Sequence, residues 1–182
     1  MINKWLYLIA LNLIIVSSNI TAQTIKDYIS SNQPDSRYSA HGDGTVTDNY
    51  TGLRWKVCSE GQTWSSPATC SGTATKYNWQ QALGLADSAN FAGFDDWRLP
   101  NIAEFRSIVA YDRYDPAINL AIFPTTQSSS YWSSTPKYGT ILSDGFPLSY
   151  VSLMEFYHGE DSRQGPRNAS SFYVRLVRGG RQ

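Results

Sequence analysis

The N-terminal segment constrains this chain most, because it decides the compartment in which the remaining residues fold. Lys4 precedes an apolar run from Trp5 to Val16, and a short polar stretch ends at Ala22. A positive charge, a short apolar run and a small residue in this order predict a cleaved secretory signal over residues 1–22. The alternative is a membrane anchor, which needs about 20 apolar residues to cross a bilayer. We therefore expect an exported protein without a transmembrane segment after cleavage, located in the periplasm, on the cell surface or outside the cell.

The only two cysteines, Cys58 and Cys70, lie 12 positions apart. In an oxidising compartment, an isolated pair at this spacing typically closes a loop as a structural disulfide. The alternative is a redox-active or metal-binding pair, but the sequence has neither Cys-x-x-Cys spacing nor a nearby histidine. We predict a Cys58–Cys70 disulfide, which contributes about 3 kcal/mol to stability through loop-closure entropy.

Composition excludes several functional classes. The 182 residues include 15 basic and 15 acidic side chains, and this neutral balance argues against nucleic acid as a partner. Two cysteines are too few for a disulfide-dense miniprotein or a four-thiolate zinc site. Aromatic residues make up 14% of the chain, which excludes an intrinsically disordered polyelectrolyte. An ordinary globular domain remains.

Hydrophobic periodicity predicts an α+β fold with an antiparallel sheet, two helices and long loops. A hairpin with strands at 45–47 and 53–57 opens the domain. Helical spacing predicts one helix over 78–86 and another from Asn101, where Glu104 completes a capping box. Further strands are predicted within 125–135, 149–156 and 172–178.

The predicted boundaries divide the chain into three parts. Residues 1–22 form the signal, 23–40 an extended leader without periodicity, and 41–180 one domain. Within that domain, residues 159–169 are predicted to be irregular, because they are polar and contain glycine.

Arginines are concentrated at the C-terminal end. Half of the ten arginines lie in a 19-residue stretch that has no acidic residue. Guanidinium groups bind sulfate and carboxylate through paired hydrogen bonds, so this pattern favours a local anion-binding face. The alternative is that Arg175 and Arg178 pair with carboxylates such as Asp95 or Asp96. The candidate ligand-binding arginines are Arg163, Arg167 and Arg181.

Aromatic side chains in the predicted loops offer flat apolar faces on which sugars can stack. Tyr131 and Trp132 are the two that we include among the candidate ligand-binding residues. The wider set of loop aromatics is Trp64, Tyr131, Trp132, Tyr138 and Tyr157. In contrast, Trp55, Trp79 and Trp97 are predicted to lie in the core.

Catalytic and metal-binding motifs are not evident. The sequence has no nucleophile elbow, zinc-protease helix or phosphate-binding glycine loop. Glu160 and Asp161 are the candidate carboxylates for an enzymatic alternative. Asp43, Asp48 and Asn49 carry oxygen ligands that calcium accepts, but lack the regular spacing of a calcium loop. We therefore expect no enzyme activity, no catalytic residue and no cofactor, with calcium left open as an alternative.

Four motifs in order resemble the Lcl C-terminal domain family, which is named from a bacterial collagen-like adhesin and was long catalogued as a domain of unknown function. The resemblance covers about residues 35–180. The motifs are Gly42–Asn49 with Thr51–Trp55, Trp79–Leu83 with Gly93–Pro100 and Glu104, Tyr131–Thr135, and Tyr173–Gly180. Within the second motif, we interpret Asp96, Trp97 and Arg98 as scaffold, with Asp96 in a salt bridge or turn cap.

The resemblance implies a C-type-lectin-like fold, which agrees with the predicted α+β order. For the name-giving adhesin it implies surface display, trimerisation and binding of sulfated glycosaminoglycans. The resemblance implies a homotrimer, although this chain departs from the name-giving adhesin in having no collagen-like stalk. The same fold class includes formylglycine-generating enzymes, whose copper-binding cysteines have no counterpart here, and retroelement-diversified binding proteins.

The leading hypothesis is an exported, non-enzymatic binding module with adhesin-like recognition of glycans, including sulfated polysaccharide, or of other surface ligands. One alternative is an envelope or pilus-associated component that binds another protein. A second is an enzyme of uncharacterised activity on a lectin-like fold.

Overall fold

The computed structural model describes residues 23–65, 69–141, 147–164 and 171–180, so the predicted signal at 1–22 lies outside the described residues. In these ranges the chain forms antiparallel sheets and two α-helices, which confirms the α+β class. The helices are α1 (Trp79–Asp87) and α2 (Ile102–Ser107), with a 3-10 helix at Asp35–Arg37. No helix in the described part is long and apolar enough to cross a membrane.

Eleven strands make up the sheets of the described part. They are β1 (Thr24–Ile25), β2 (Tyr38–Ala40), β3 (Thr45–Asp48), β4 (Leu53–Lys56), β5 (Thr63–Ser65), β6 (Thr69–Ser71), β7 (Arg113–Tyr114), β8 (Ser130–Ile141), β9 (Pro147–Glu155), β10 (Glu160–Gln164) and β11 (Val177–Gly179). One sheet has the order β11-β4-β3-β2 and another the order β10-β9-β8. The remaining strands form two-stranded ribbons, β1 with β7 and β5 with β6.

The predicted hairpin forms the centre of the four-stranded sheet. In β4, Trp55 lies opposite Val46 of β3 on one side and Val177 of β11 on the other. All three side chains are buried, as the alternation of apolar and basic residues in β4 predicts. The two ends of the domain therefore meet across Trp55.

The three-stranded sheet separates two hydrophobic clusters, because neighbouring residues of a strand face opposite ways. Tyr131 of β8 and Met154 of β9 pair and lie in the cluster that contains Trp55 and Phe105 of α2. The next residue of β8, Trp132, pairs with Leu153 of β9, and both lie in the second cluster, which includes Ala82 and Ala86 of α1. The β8–β9 pair is thus buried on both faces.

Both helices begin with a reciprocal capping box. The Asn101 side chain accepts a hydrogen bond from the Glu104 N–H at 2.8 Å, and the Glu104 carboxylate accepts one from the Asn101 N–H. Asn78 and Gln81 form the same pair of bonds at α1. The helix starts predicted at 78 and 101 are confirmed as caps.

Two predicted segments differ in the structure. The first half of 159–169, predicted to be irregular, is strand β10, because backbone pairing with β9 holds a polar sequence that has no alternation of its own. The predicted strand at 172–178 is broken: Phe172 forms an isolated bridge, and regular pairing begins only at Val177. In both segments, backbone hydrogen bonds to distant residues decide the outcome.

Residues 23–40, expected to be an extended leader, pack onto the domain. Strand β1 pairs with β7, and β2 forms the edge of the four-stranded sheet. The buried Gln33 donates to the carbonyls of Ser107 and Val109, at 2.8 and 3.1 Å, and accepts a hydrogen bond from the Tyr38 hydroxyl. This segment therefore packs against the C-terminal end of α2 and the residues that follow it.

A buried arginine links the C-terminal segment to the end of β4. The Arg175 guanidinium donates to the carbonyls of Lys56 and Val57 and, at 2.7 Å, to the Thr126 hydroxyl. Its central carbon lies 4.9 Å from the centre of the Phe123 ring. Burial lowers the pKa of Arg175 from its usual range. The expected pairing of Arg175 with a carboxylate such as Asp95 is corrected, because its hydrogen-bond partners are carbonyl and hydroxyl oxygens.

We predict that Arg175→Lys lowers the free energy of unfolding by about 2 to 3 kcal/mol, because one ammonium cannot reach all three acceptors and buried acceptors without donors are costly. The control is Arg178→Lys, whose partly exposed ion pair with Asp96 contributes about 1 kcal/mol or less. Urea unfolding of both variants measures the difference. Equal losses would contradict a special role for the buried guanidinium.

Candidate ligand-binding cleft

The predicted disulfide is present between Cys58 and Cys70, with Cα atoms 5.6 Å apart. Cys58 follows β4, and Cys70 lies in β6, so the bond ties the β5–β6 ribbon to the four-stranded sheet. Trp64 lies directly across the ribbon from Cys70. The disulfide therefore fixes the position of the Trp64 backbone.

The Trp64 side chain packs against a tight turn before β3. Its Nε1 donates a hydrogen bond to the Gly42 carbonyl at 3.3 Å. Gly44 has a φ of +83°, and a Cβ there would lie 2.9 Å from Trp64 side-chain atoms and from the Phe91 ring. Only glycine satisfies both the positive φ and this close approach. The indole is thus held between the ribbon and the turn.

A small apolar pocket lies on one side of Trp64, with a volume of about 110 Å³. Its walls come mainly from β3, the end of β4 and the segment that precedes β8. The apolar lining residues are Ala40, Val46, Val57, Trp64, Ala121, Ile122 and Pro124. This pocket can take a methyl-sized or isopropyl-sized group.

A second, more polar pocket of about 220 Å³ also has Trp64 in its wall. Its polar groups come from Lys56, Gln62 and Thr63, and Phe91 provides a second aromatic surface. The Lys56 ammonium lies 2.6 Å from a Glu60 carboxylate oxygen and 4.6 Å from the Phe91 ring centre. Its charge is therefore already balanced. The two pockets together are called the Trp64 cleft below.

The chemistry of the Trp64 cleft suits a small ligand with an apolar face and polar edges. Binding pockets are typically apolar, with a few polar groups that orient the ligand. Here Gln62 donates to the Thr125 hydroxyl at 3.0 Å, and one of its two amide N–H groups remains for a ligand. Each pocket is smaller than the range of about 300–1,000 Å³ for drug-sized ligands, so each would hold a single ring or substituent.

Every arginine whose side chain the structure describes already has a partner. Arg175 binds carbonyl and hydroxyl oxygens, and the other described arginines form ion pairs with carboxylates. The pairs are Arg37–Asp48, Arg54–Asp43, Arg98–Glu104, Arg106–Asp161, Arg113–Asp112 and Arg178–Asp96. The expected Arg178–Asp96 pairing is confirmed, and its guanidinium lowers the pKa of Asp96.

The three candidate ligand-binding arginines stay predictions. Arg163 lies in β10 opposite Ser152, but its side chain is outside the described part. Arg167 and Arg181 are outside the described residues altogether. The described part of the structure therefore does not show whether these three side chains lie close to one another.

The expectation that Tyr131 and Trp132 face a ligand is corrected. Both side chains are fully buried, because β8 lies between two hydrophobic clusters. The Tyr131 hydroxyl lies 2.8 Å from the Ser59 hydroxyl, and the Trp132 indole donates to the Tyr77 carbonyl at 2.6 Å. The polar atoms of both side chains are therefore paired inside the protein.

The other loop aromatics have different environments. Trp64 is half-buried at the cleft and keeps its candidate role, while Tyr157 is 40% exposed on the far turn between β9 and β10. The side chain of Tyr138 lies outside the described part.

The Asp96-Trp97-Arg98 segment has the contacts expected of scaffold. Trp97 is buried, and its indole donates to the Phe91 carbonyl at 3.0 Å. Asp96 pairs with Arg178, and Arg98 pairs with Glu104 at the start of α2. The segment thus holds Phe91, a wall of the cleft, against the core.

Three of the carboxylates considered for catalysis or calcium, Asp161, Asp43 and Asp48, form ion pairs, whereas Glu160 is exposed on β10. The Arg106 guanidinium, helped by Lys137, lowers the pKa of Asp161 and keeps it ionised. Asp43 and Asp48 both pair with arginines. In the described ranges, no group of three or more His, Cys, Asp or Glu side chains is placed to hold a metal ion.

Sequence reasoning missed two walls of the cleft, Phe91 and Gln62. Both lie in segments without periodicity, where position depends on long-range contacts. The signal that could have located the cleft is the Gly42–Gly44 turn, since glycines there indicate a close approach by another part of the chain.

Comparison with known proteins gives one match. The family model described as the Lcl C-terminal domain matches residues 44–178, more than half of the chain. No curated protein and no solved structure matches.

Proposed function

The chain belongs to the Lcl C-terminal domain family, an adhesin-related bacterial domain, and we propose that it is an exported, non-enzymatic binding module that recognises glycans through the Trp64 cleft. We further propose a C-type-lectin-like fold. A homotrimer is proposed from the family resemblance alone. The disulfide fits an oxidising location outside the inner membrane.

The observation that carries the proposal is the position of Trp64 between an apolar and a polar pocket. A pyranose ring has a face of C–H groups that packs on an aromatic ring, while its hydroxyls form hydrogen bonds at the edges. The indole provides the first contact, and Gln62 and Thr63 provide the second. The apolar pocket would take a methyl group such as that of an N-acetyl substituent.

The described lining of the Trp64 cleft contains no Asp, Glu or His side chain, which favours binding over acid–base catalysis there. A general acid must hold a proton near neutral pH, and Asp161 is held ionised by Arg106 and Lys137. An ionised Asp161 can instead act as a general base, so the enzymatic alternative depends on Asp161 and on Glu160, which is exposed on β10. Loss of a measured substrate turnover in Glu160→Ala would support that alternative.

A protein-binding role in the envelope or on a pilus is the second candidate. It is favoured by the exposed apolar side chains of the N-terminal segment, where Ile25 is 61% and Tyr28 is 81% exposed. A glycan array without any positive signal would favour this candidate over the first.

We predict that Trp64→Ala reduces retention on the best glycan of an array by about tenfold or more, as expected for a central aromatic contact. Gln62→Ala should reduce it about fivefold, equivalent to one hydrogen bond of about 1 kcal/mol. The matched control is Gln80→Ala, because Gln80 is exposed on α1 away from the cleft.

The Gln62 variant keeps the test valid if Trp64→Ala loosens the β5–β6 ribbon. Equal retention of wild type, Gln62→Ala and Trp64→Ala on every glycan would show that the cleft is not the binding site.

Sulfated polysaccharide is a more specific proposal that concerns the C-terminal arginines. Replacement of Arg163, Arg167 and Arg181 by Ser should weaken heparin retention, whereas replacement by Lys should largely preserve it, because the contact depends on charge. Retention should fall as salt rises, since the Debye length shortens from about 10 Å at 0.1 M to about 3 Å at 1 M. Passage of the wild-type protein through heparin at low salt would refute this part.

A further inference from the structure

A second groove lies away from the Trp64 cleft, with a volume of about 530 Å³. It lies between the start of the 3-10 helix and the turn that joins β3 to β4. The lining residues are Asn32, Pro34, Arg37, Asn49 and Tyr50. The first three precede the residues that match the family, so this groove is built partly by the chain's own N-terminal segment.

Tyr50 is presented from a rigid turn, although the residue is 77% exposed. The buried Asp48 carboxylate accepts hydrogen bonds from the Tyr50 N–H at 3.0 Å and the Thr51 hydroxyl at 2.6 Å. Burial alone would raise the pKa of Asp48, but these bonds and those from Arg37 outweigh it and lower the pKa. The turn therefore needs no ordering when a ligand arrives, which favours binding.

Arg37 has its positive charge balanced by Asp48, and it also packs against the Tyr50 ring. Its guanidinium binds both Asp48 oxygens at 2.6 Å and lies 5.1 Å from the centre of the Tyr50 ring. The cation thus covers one face of the ring and has its charge compensated. The other ring face is open to the groove, and Arg37, whose charge is compensated, is the one cation among the described lining residues.

Two amide side chains provide polar edges to the groove. Asn49 contacts the Ser39 hydroxyl at 3.0 Å and is otherwise exposed, so an N–H and an acceptor lone pair remain. Asn32 donates to the Val109 carbonyl and accepts from the Tyr111 N–H, which leaves one N–H. With respect to the residues that the structure describes, the groove therefore combines a free aromatic face with unused donors and an acceptor.

We infer that this groove is a second binding site, specific for a neutral saccharide that stacks on Tyr50 and hydrogen-bonds to Asn49 and Asn32. A sugar ring matches the free ring face and the amides together, whereas a sulfated sugar finds no unpaired cation among the described residues that line the groove. The site is independent of the Trp64 cleft, because the two lining sets share no residue.

The test uses immobilised neutral hexose and N-acetylhexosamine oligosaccharides together with sulfated forms of the same chains. Wild type should retain at least one neutral probe, with little change between low and high salt. Tyr50→Ala should weaken that retention about tenfold, which corresponds to about 1.4 kcal/mol. Tyr50→Phe should keep it, because the aromatic face remains. Tyr28→Ala is the matched control, as Tyr28 is equally exposed outside the groove.

The Trp64→Ala variant separates this inference from the proposed function. Retention that survives Trp64→Ala and is lost in Tyr50→Ala supports the second site, even where the Trp64 cleft binds nothing. An unchanged melting temperature of Tyr50→Ala shows that the fold is intact. The inference is overturned if wild type retains no neutral probe, if only sulfated probes are retained, or if Tyr50→Ala binds like wild type.

Discussion

The buried guanidinium of Arg175 is the interaction on which the rest of the structure depends. Its two backbone acceptors, the carbonyls of Lys56 and Val57, belong to the residues that line the polar and the apolar pocket, respectively. A buried charge without a carboxylate partner is tolerated only where hydrogen bonds replace its hydration. The C-terminal segment thereby fixes the end of β4. One residue there, Lys56, lines the polar pocket of the Trp64 cleft, and the next, Val57, lines the apolar pocket.

The disulfide and a glycine complete the cleft from the opposite side. The Cys58–Cys70 bond begins one residue after Val57, so the ribbon that carries Trp64 is tied to the same strand end. Gly44 then allows the indole to approach the turn closely enough for the hydrogen bond to the Gly42 carbonyl. The disulfide, the close approach at Gly44 and the hydrogen bond to the Gly42 carbonyl thus hold Trp64, whereas the groove beside Tyr50 depends on the buried carboxylate of Asp48. Both surfaces adjoin β3, but different residues support them.

Local features could be predicted from the sequence, and long-range ones could not. The Asn101–Glu104 capping box and the hairpin around Trp55 involve residues a few positions apart, so pattern alone located them. The burial of Tyr131 depends instead on β9 and α2. A strand sequence rich in Ser and Thr does not indicate that both of its faces are buried. The disulfide was predictable because only two cysteines exist. The partners of Arg175 were not, because its two carbonyl acceptors lie more than a hundred positions away in the chain and Thr126 lies 49 positions away.

The central claim, that ligand binds beside Trp64, can be measured through the indole N–H resonances in a ¹H–¹⁵N NMR titration with the glycan that is best retained on an array. The Trp64 resonance should shift saturably, because its N–H lies at the wall between the two pockets. The buried indoles of Trp97 and Trp132 should stay unchanged, since each is bonded to a carbonyl inside the core. Saturable binding that leaves the Trp64 resonance in place would contradict the account.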